Sequence, residues 1–225
     1  RAFPSPPAPV VSWRITDPVG LGLVATLARP GGNLTGFARA IEKLTVKRLE
    51  LLREMVPSAR RFAFVYIEDF AAHTRQAAEV KAAAARIGVD VRDYALPWTR
   101  WNEVELEALF TAMNRDGIEA FLLPDINVRP TLLVELAARH RLPTIHSLSH
   151  VVTEWGGLAA YSTEASSVED VVGYAVRILH GERAADLPVQ EPTRFELILN
   201  ARAARDLGLT FPPSLLVRAN QVVEK

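Results

Sequence analysis

Three groups of residues in this 225-residue sequence are spaced for chemistry. Gly20-Leu21-Gly22-Leu23-Val24-Ala25 fits G-x-G-x-x-A, the turn that cradles a dinucleotide pyrophosphate, and Glu42 falls where an acidic ribose partner would stand. His146, His150 and Glu154 are spaced by four, so on one helix they would share a face and could ligate a metal ion. Ser147 beside His146 is the raw material of a nucleophile and its base. Each group meets an obstacle in the sequence itself. Asp17-Pro18-Val19 stands between the preceding strand and the glycines, whereas the fingerprint needs its first glycine in the strand-to-helix turn. His146 ends a strand ahead of the helix, which points it away from His150. No G-x-S-x-G elbow surrounds Ser147. Catalytic residues, a metal and a cofactor are therefore all assigned as none. A nucleotide-dependent α/β enzyme and a ligand-sensing regulatory module stay open as alternatives to a transport function.

A second set of polar and aromatic residues falls at carboxyl ends of predicted strands, where open α/β sheets bind ligands. These are Asp17, Tyr66, Glu68, Asp69, Asp125, Asn127, His146, Ser147 and Tyr161. Tyr66 can stack on a planar ligand, Glu68 or Asp69 can hold an amine, and Pro124-Asp125-Ile126-Asn127 is the favoured loop. Each has a plainer reading. Asp17 and Asp69 can cap helices, Asn127 can cap the helix at Pro130, and His146, Ser147 and Tyr161 can be ordinary strand ends. Trp98 and Trp101 flank a loop after a strand, as hydrophobic cover or a stacking surface.

The elements that would position these residues follow from period and punctuation. Residues 10–15 read as a buried strand, and Asp17-Pro18 reads as the start of a short helix. Leu21, Val24, Ala25 and Ala28 lie at helical spacing, and Pro30-Gly31-Gly32 ends it. A short strand is expected over 34–37 and a helix over 41–55. Residues 61–66 are apolar on both faces, as in a sheet covered on both sides. Helices over 71–87, 104–114, 130–141, 149–154 and 167–179, the last capped by Ser166 or Ser167, alternate with strands over 89–96, 120–123, 142–146 and 158–161. A strand-like run over 195–200 precedes helices over 201–207 and 213–223. Residues 61–179 thus predict a doubly wound parallel sheet with right-handed crossovers. Residues before Pro57 hold one or two strands and one helix. Such a unit cannot bury its own faces, so it reads as the tail of another lobe.

Composition narrows the function classes. With 49% apolar residues a sizeable core is available. Zero formal net charge argues against a nucleic-acid partner and against adhesion to anionic membranes. There is no cysteine, hence no disulfide and no thiolate metal site. No apolar run approaches the ~18–20 residues of a membrane span. The chain starts at Arg1 with no visible signal peptide, as expected of a mature or trimmed product, and its proline-rich opening reads as an extended arm.

Several stretches in one order resemble a known family. They include Asp17-Pro18-Val19-Gly20-Leu21-Gly22-Leu23-Val24-Ala25, Leu27-Ala28-Arg29-Pro30-Gly31-Gly32-Asn33-Leu34-Thr35-Gly36, Lys47-Arg48-Leu49-Glu50-Leu51-Leu52, Gly156-Gly157-Leu158-Ala159-Ala160-Tyr161 and Leu187-Pro188-Val189-Gln190-Glu191-Pro192. Together they resemble the extracytoplasmic substrate-binding proteins of ABC importers, of the tryptophan/tyrosine-binding type. The resemblance implies two α/β lobes of periplasmic-binding-protein type I kind, with a small ligand held in the cleft between them. It implies residues 1–57 as the tail of the first lobe and a crossing helix, 58–183 as a complete second lobe, and 184–225 as a C-terminal crossing segment with helices. Most of the first lobe would be missing from this chain. The implied ligand is an amino acid or similar small molecule. The implied partners are an ABC permease and ATPase, and the implied location is periplasmic or extracytoplasmic. A homodimer in which two partial lobes complete each other is a further expectation.

Overall fold

The computed structural model describes residues 8–39, 41–124, 128–163 and 167–224. The chain divides into two compact units, one of residues up to 40 with 163–195 and one of 41–162 with 196–225. This division differs from the one expected. Helix 41–55 goes with the larger unit, because Leu49, Leu52 and Met55 pack in the same core as Phe62 and Phe64. Residues 163–195 return to the N-terminal strands, because Tyr174 and Leu187 pack against Phe37.

In the smaller unit, β1 (Val10–Thr16) and β2 (Leu34–Arg39) pair in parallel. Thr35 is buried and its hydroxyl donates to the Leu187 carbonyl at 2.7 Å, tying β2 to the later segment. A helix, α6 (Val168–Leu179), lies in the same unit. Its start is a capping box: the Ser167 hydroxyl accepts from the Asp170 N–H, and the Asp170 carboxylate accepts from the Ser167 N–H. Tyr174 lies on its inner face and stacks on Phe37 at 5.0 Å. Val168, Val172, Val176 and Leu179 form an exposed apolar stripe on α6.

Residues 17–30 form turns, not the expected helix. Asp17 sits in the left-handed region at φ 45°, and its carboxylate accepts the Gly20 N–H at 2.9 Å. A Cβ at Gly20 would come within 2.1 Å of that carboxylate, so a side chain there would push the Asp17 carboxylate out of this bond. Gly22 then takes φ 67° and breaks the helical path after one turn.

Among the described residues, seven strands build the larger unit's sheet. They are β3 (Arg61–Ile67), β4 (Asp90–Leu96), β5 (Ala120–Leu122), β6 (Thr144–His146), β7 (Ala159–Thr163), β8 (Phe195–Asn200) and β9 (Gln221–Val223). Their order is β4-β3-β5-β6-β7-β8-β9. The pairs from β4 through β7, and β8 with β9, are parallel. The helices are α1 (Ile41–Met55), α2 (Ala71–Ile87), α3 (Glu103–Arg115), α4 (Pro130–Arg139), α5 (His150–Thr153), α7 (Ala201–Asp206) and α8 (Pro213–Arg218). Alternation along β3 feeds two cores. Phe62, Phe64 and Tyr66 pack with α1, α2, α7 and α8, while Ala63, Val65 and Ile67 pack with α3 and α4.

The last helix is shorter than expected. Asn220 donates its N–H to the Leu197 carbonyl and accepts the Leu197 N–H with its side chain, both at 2.8 Å. That reciprocal pair draws residues 221–223 alongside β8 as β9. None of the helices among the described residues is long and apolar enough to cross a membrane.

Candidate functional site

The strand order contains a reversal. The chain leaves β3 through α2 to β4 on one side, then returns through α3 to β5 on the other. Because α2 and α3 cover opposite faces of the sheet, the strand order reverses between β3 and β5, and in open α/β sheets ligands bind outside the carboxyl edge at such a point. The β3 loop carries Glu68, Asp69 and Phe70, all exposed. The β5 loop begins with Leu123 and Pro124. Asp125 and Asn127, the favoured pair from the sequence, lie outside the described residues.

Asp69 does not cap α2. Phe70 occupies the N-cap position, and no side chain satisfies it. The Asp69 carboxylate instead accepts the backbone N–H of Trp98. It thereby ties the β3 loop to the 3-10 turn Trp98–Arg100 that follows β4. That tie brings two exposed rings together: Phe70 and Trp98 meet edge-on at 6.2 Å, 46% and 52% exposed. His73 packs on the Phe70 ring at 5.1 Å, and its Nδ1 lies 3.1 Å from the Ile67 carbonyl oxygen. Burial lowers the His73 pKa, so the ring is neutral near pH 7. Trp101 is unlike Trp98: it is buried in the core on the α3 side. The edge therefore offers two exposed carboxylates, one already accepting the Trp98 N–H, beside two half-exposed rings, a combination suited to an ammonium group on a planar body.

The other expected site residues are placed as follows. Tyr66 lies in the core, 5.4 Å from the Phe64 ring, and burial raises its hydroxyl pKa. Asp17 stabilises its own turn. Ser147 is buried. The Tyr161 carbonyl accepts from the buried Arg48 guanidinium at 2.8 Å. His146 is 3% exposed and its side chain points into the interior, not toward the edge. It ends β6, while His150 belongs to α5 and packs on Trp155 at 4.8 Å, so the four-residue spacing does not put these groups on one helix face.

Sequence reasoning missed Phe70 and a polar cluster farther along the edge. Ser149 and Ser162 hydroxyls lie 2.5 Å apart, and both also bond to the Glu196 carboxylate. The cluster fastens the end of β7 to the start of β8. Glu196 sits near the start of a strand whose later residues are all buried, and no spacing in the sequence pairs it with Ser149 or Ser162. The G-x-G-x-x-A match leads into turns, so no helix N-terminus stands behind Gly20 to receive a phosphate.

Residues 5–223 match the family model for ABC transporter substrate binding proteins. The chain belongs to this family. A tyrosine-binding protein of Clostridioides difficile is 24% identical over 206 residues, covering 89% of this chain. The chain spans 57% of that relative's length. Among solved structures, an ABC domain from Streptococcus pneumoniae in complex with L-Trp is 28% identical with a TM-score of 0.78. The match covers 96% of this chain and 73% of that one. A conserved domain protein from Vibrio cholerae is 24% identical with a TM-score of 0.77, covering 95% and 71% of the two chains. The α/β fold with its mostly parallel sheet is thus that of type I periplasmic binding proteins. Members of the ABC substrate-binding family are not enzymes and are typically extracytoplasmic. The dinucleotide-enzyme alternative is set aside on that ground.

Proposed function

We propose that this ABC substrate-binding chain carries the ligand-recognising part of an importer's solute receptor, and that its ligand is an amino acid with an aromatic side chain. The observation that carries the reading is the switch-point edge, where Glu68 and Asp69 stand beside the open rings of Phe70 and Trp98. The carboxylates receive the ligand's ammonium group and the rings receive its planar body. The L-Trp bound in the Streptococcus pneumoniae relative and the tyrosine named for the Clostridioides difficile relative support the same ligand class. On this reading the protein works outside the cytoplasm and hands its ligand to an ABC permease driven by an ATPase. The exposed apolar stripe of α6 supports a second copy as cover for the smaller unit, which sedimentation of the 225-residue chain as a dimer would bear out.

Titration calorimetry tests the ligand class. Saturable heat with L-tryptophan or L-tyrosine, and none with NAD or ATP, is the expected result. Phe70→Ala and Trp98→Ala are each expected to weaken binding about tenfold, the loss of ~1–1.5 kcal/mol of ring contact. Binding of NAD or ATP with none of either amino acid would reject the reading.

A further inference from the structure

The Asn102, Ser167 and Asn200 side chains cap α3, α6 and α7, and α4 and α8 open on proline. The start of α2 does neither. Its N-cap position holds Phe70, no side chain bonds the free N–H groups, and the first turn has no acidic residue. A phenylalanine there forgoes the cap and leaves its ring 46% exposed. A local sequence that works against its own helix is expected where function outweighs stability.

His73 stands three residues on, where the glutamate of a capping box would reach back to the N-cap N–H. Its ring turns instead to the end of β3. Nδ1 lies 3.1 Å from the Ile67 carbonyl oxygen, and the Phe70 N–H donates to the same oxygen at 3.4 Å. A carbonyl only accepts, so the proton of the neutral imidazole sits on Nδ1. That bond holds the imidazole against the Phe70 ring, with centroids 5.1 Å apart and planes tilted by 58°. On its other side Phe70 meets Trp98, whose backbone N–H is held by Asp69. Phe70 is thus the middle of three rings, and each of its neighbours is anchored by a bond of its own.

We propose that His73 is the positioning residue of the aromatic platform: bonded to Ile67, it fixes the Phe70 ring in the orientation that receives the ligand's planar body. The inference rests on the reading of this edge as an aromatic amino-acid site. A half-exposed ring without such a floor hops between rotamers on the ps–ns timescale and loses that freedom when a ligand arrives. A ring already held loses less, so affinity rises with no added contact to the ligand. Because burial keeps the imidazole neutral near pH 7, the floor adds no positive charge beneath a site for an ammonium group.

Titration calorimetry of the 225-residue chain with L-tryptophan, on His73→Ala, Phe70→Ala and the double variant, reads the effect. His73→Ala is expected to weaken binding about fivefold when Phe70 is present, and by less than about twofold when Phe70 is already alanine, because the imidazole acts only through that ring. His73→Phe keeps a ring beneath Phe70 and is expected to recover most of the loss. NMR of the imidazole nitrogens in the free, unmodified chain gives a reading that needs no ligand, and the Nδ1–H tautomer is expected. Equal losses from His73→Ala with and without Phe70 would show a general structural effect and overturn the proposal. So would an Nε2–H tautomer, or unchanged affinity in His73→Ala where Phe70→Ala weakens binding. Failure of the amino-acid reading is distinct: L-tryptophan then does not bind the unmodified chain, or binds Phe70→Ala equally well, and the proposal falls with it.

Discussion

Phe121→Ala is expected to destabilise the larger unit by about 3–5 kcal/mol, lowering the urea midpoint with little change in the dependence on urea. Phe121 is fully buried on the central strand β5. Its ring meets Phe110 of α3 edge-on at 5.2 Å and belongs to the core shared with α4. Truncation removes both the apolar contact and the ring pair, and leaves a cavity that strands packed on both sides cannot close. Phe70→Ala is the paired control. With nearly half its surface in solvent, Phe70 contributes little to folding, and its loss is expected to stay within about 0.5 kcal/mol. The two phenylalanines thus separate architecture from recognition. A large stability loss at Phe70 would mean that the ring is structural and not held open for a ligand.

The second large effect is a loss of stability on mild acidification. Burial, with added repulsion from the Arg48 guanidinium, lowers the His146 pKa from 6.5 to about 4. Below pH 6.5 the unfolded chain takes up a proton that the folded chain refuses. Stability is therefore complete above pH 6.5 and falls as the pH drops toward 4, by roughly 3 kcal/mol over that window. His73, whose pKa is also lowered by burial, acts in the same direction. Among the carboxylates, Glu107 is held low chiefly by its bond from His140, and Glu119 by the backbone N–H groups of Arg60 and Arg61. Their contributions are present above the ordinary carboxylate range and begin to be lost as the pH falls through it, so the His146→Gln comparison is what separates the histidine step from theirs. Urea midpoints at pH 7 and pH 4.5 read the effect. His146→Gln is expected to remove most of the difference, and an unchanged difference in that variant would show that His146 is not its source.

The large sheet was legible because its signals are local. Residues 62–66, apolar at every position, read as a strand covered on both faces, and the alanine-rich run closed by Gly88 reads as a helix. The sequence narrows the cap of α6 to Ser166 or Ser167, and Ser167 makes it. What the sequence could not show depended on contacts distant in the chain. Residues 18–28 carry helical spacing, but Asp17 captures the Gly20 N–H and Gly22 turns left-handed, so the spacing never becomes a helix. Residues 221–223 look helical until Asn220 bonds Leu197, more than twenty residues earlier. The same limit applies to the candidate site. Glu68 and Asp69 could be found at a strand end. Phe70 could not, because its significance comes from Trp98, which Asp69 draws to it across the edge. His146 was read as a strand-end ligand group, and only the third dimension shows that its ring is buried instead.

The central claim is that ligand recognition resides at the carboxyl edge of the larger sheet. Its most direct test is a chemical-shift map of the 225-residue chain titrated with L-tryptophan. Saturable shifts concentrated at Glu68, Asp69, Phe70 and Trp98, including the Trp98 indole N–H, are the predicted result. Saturable binding that leaves these four residues unmoved would contradict the claim.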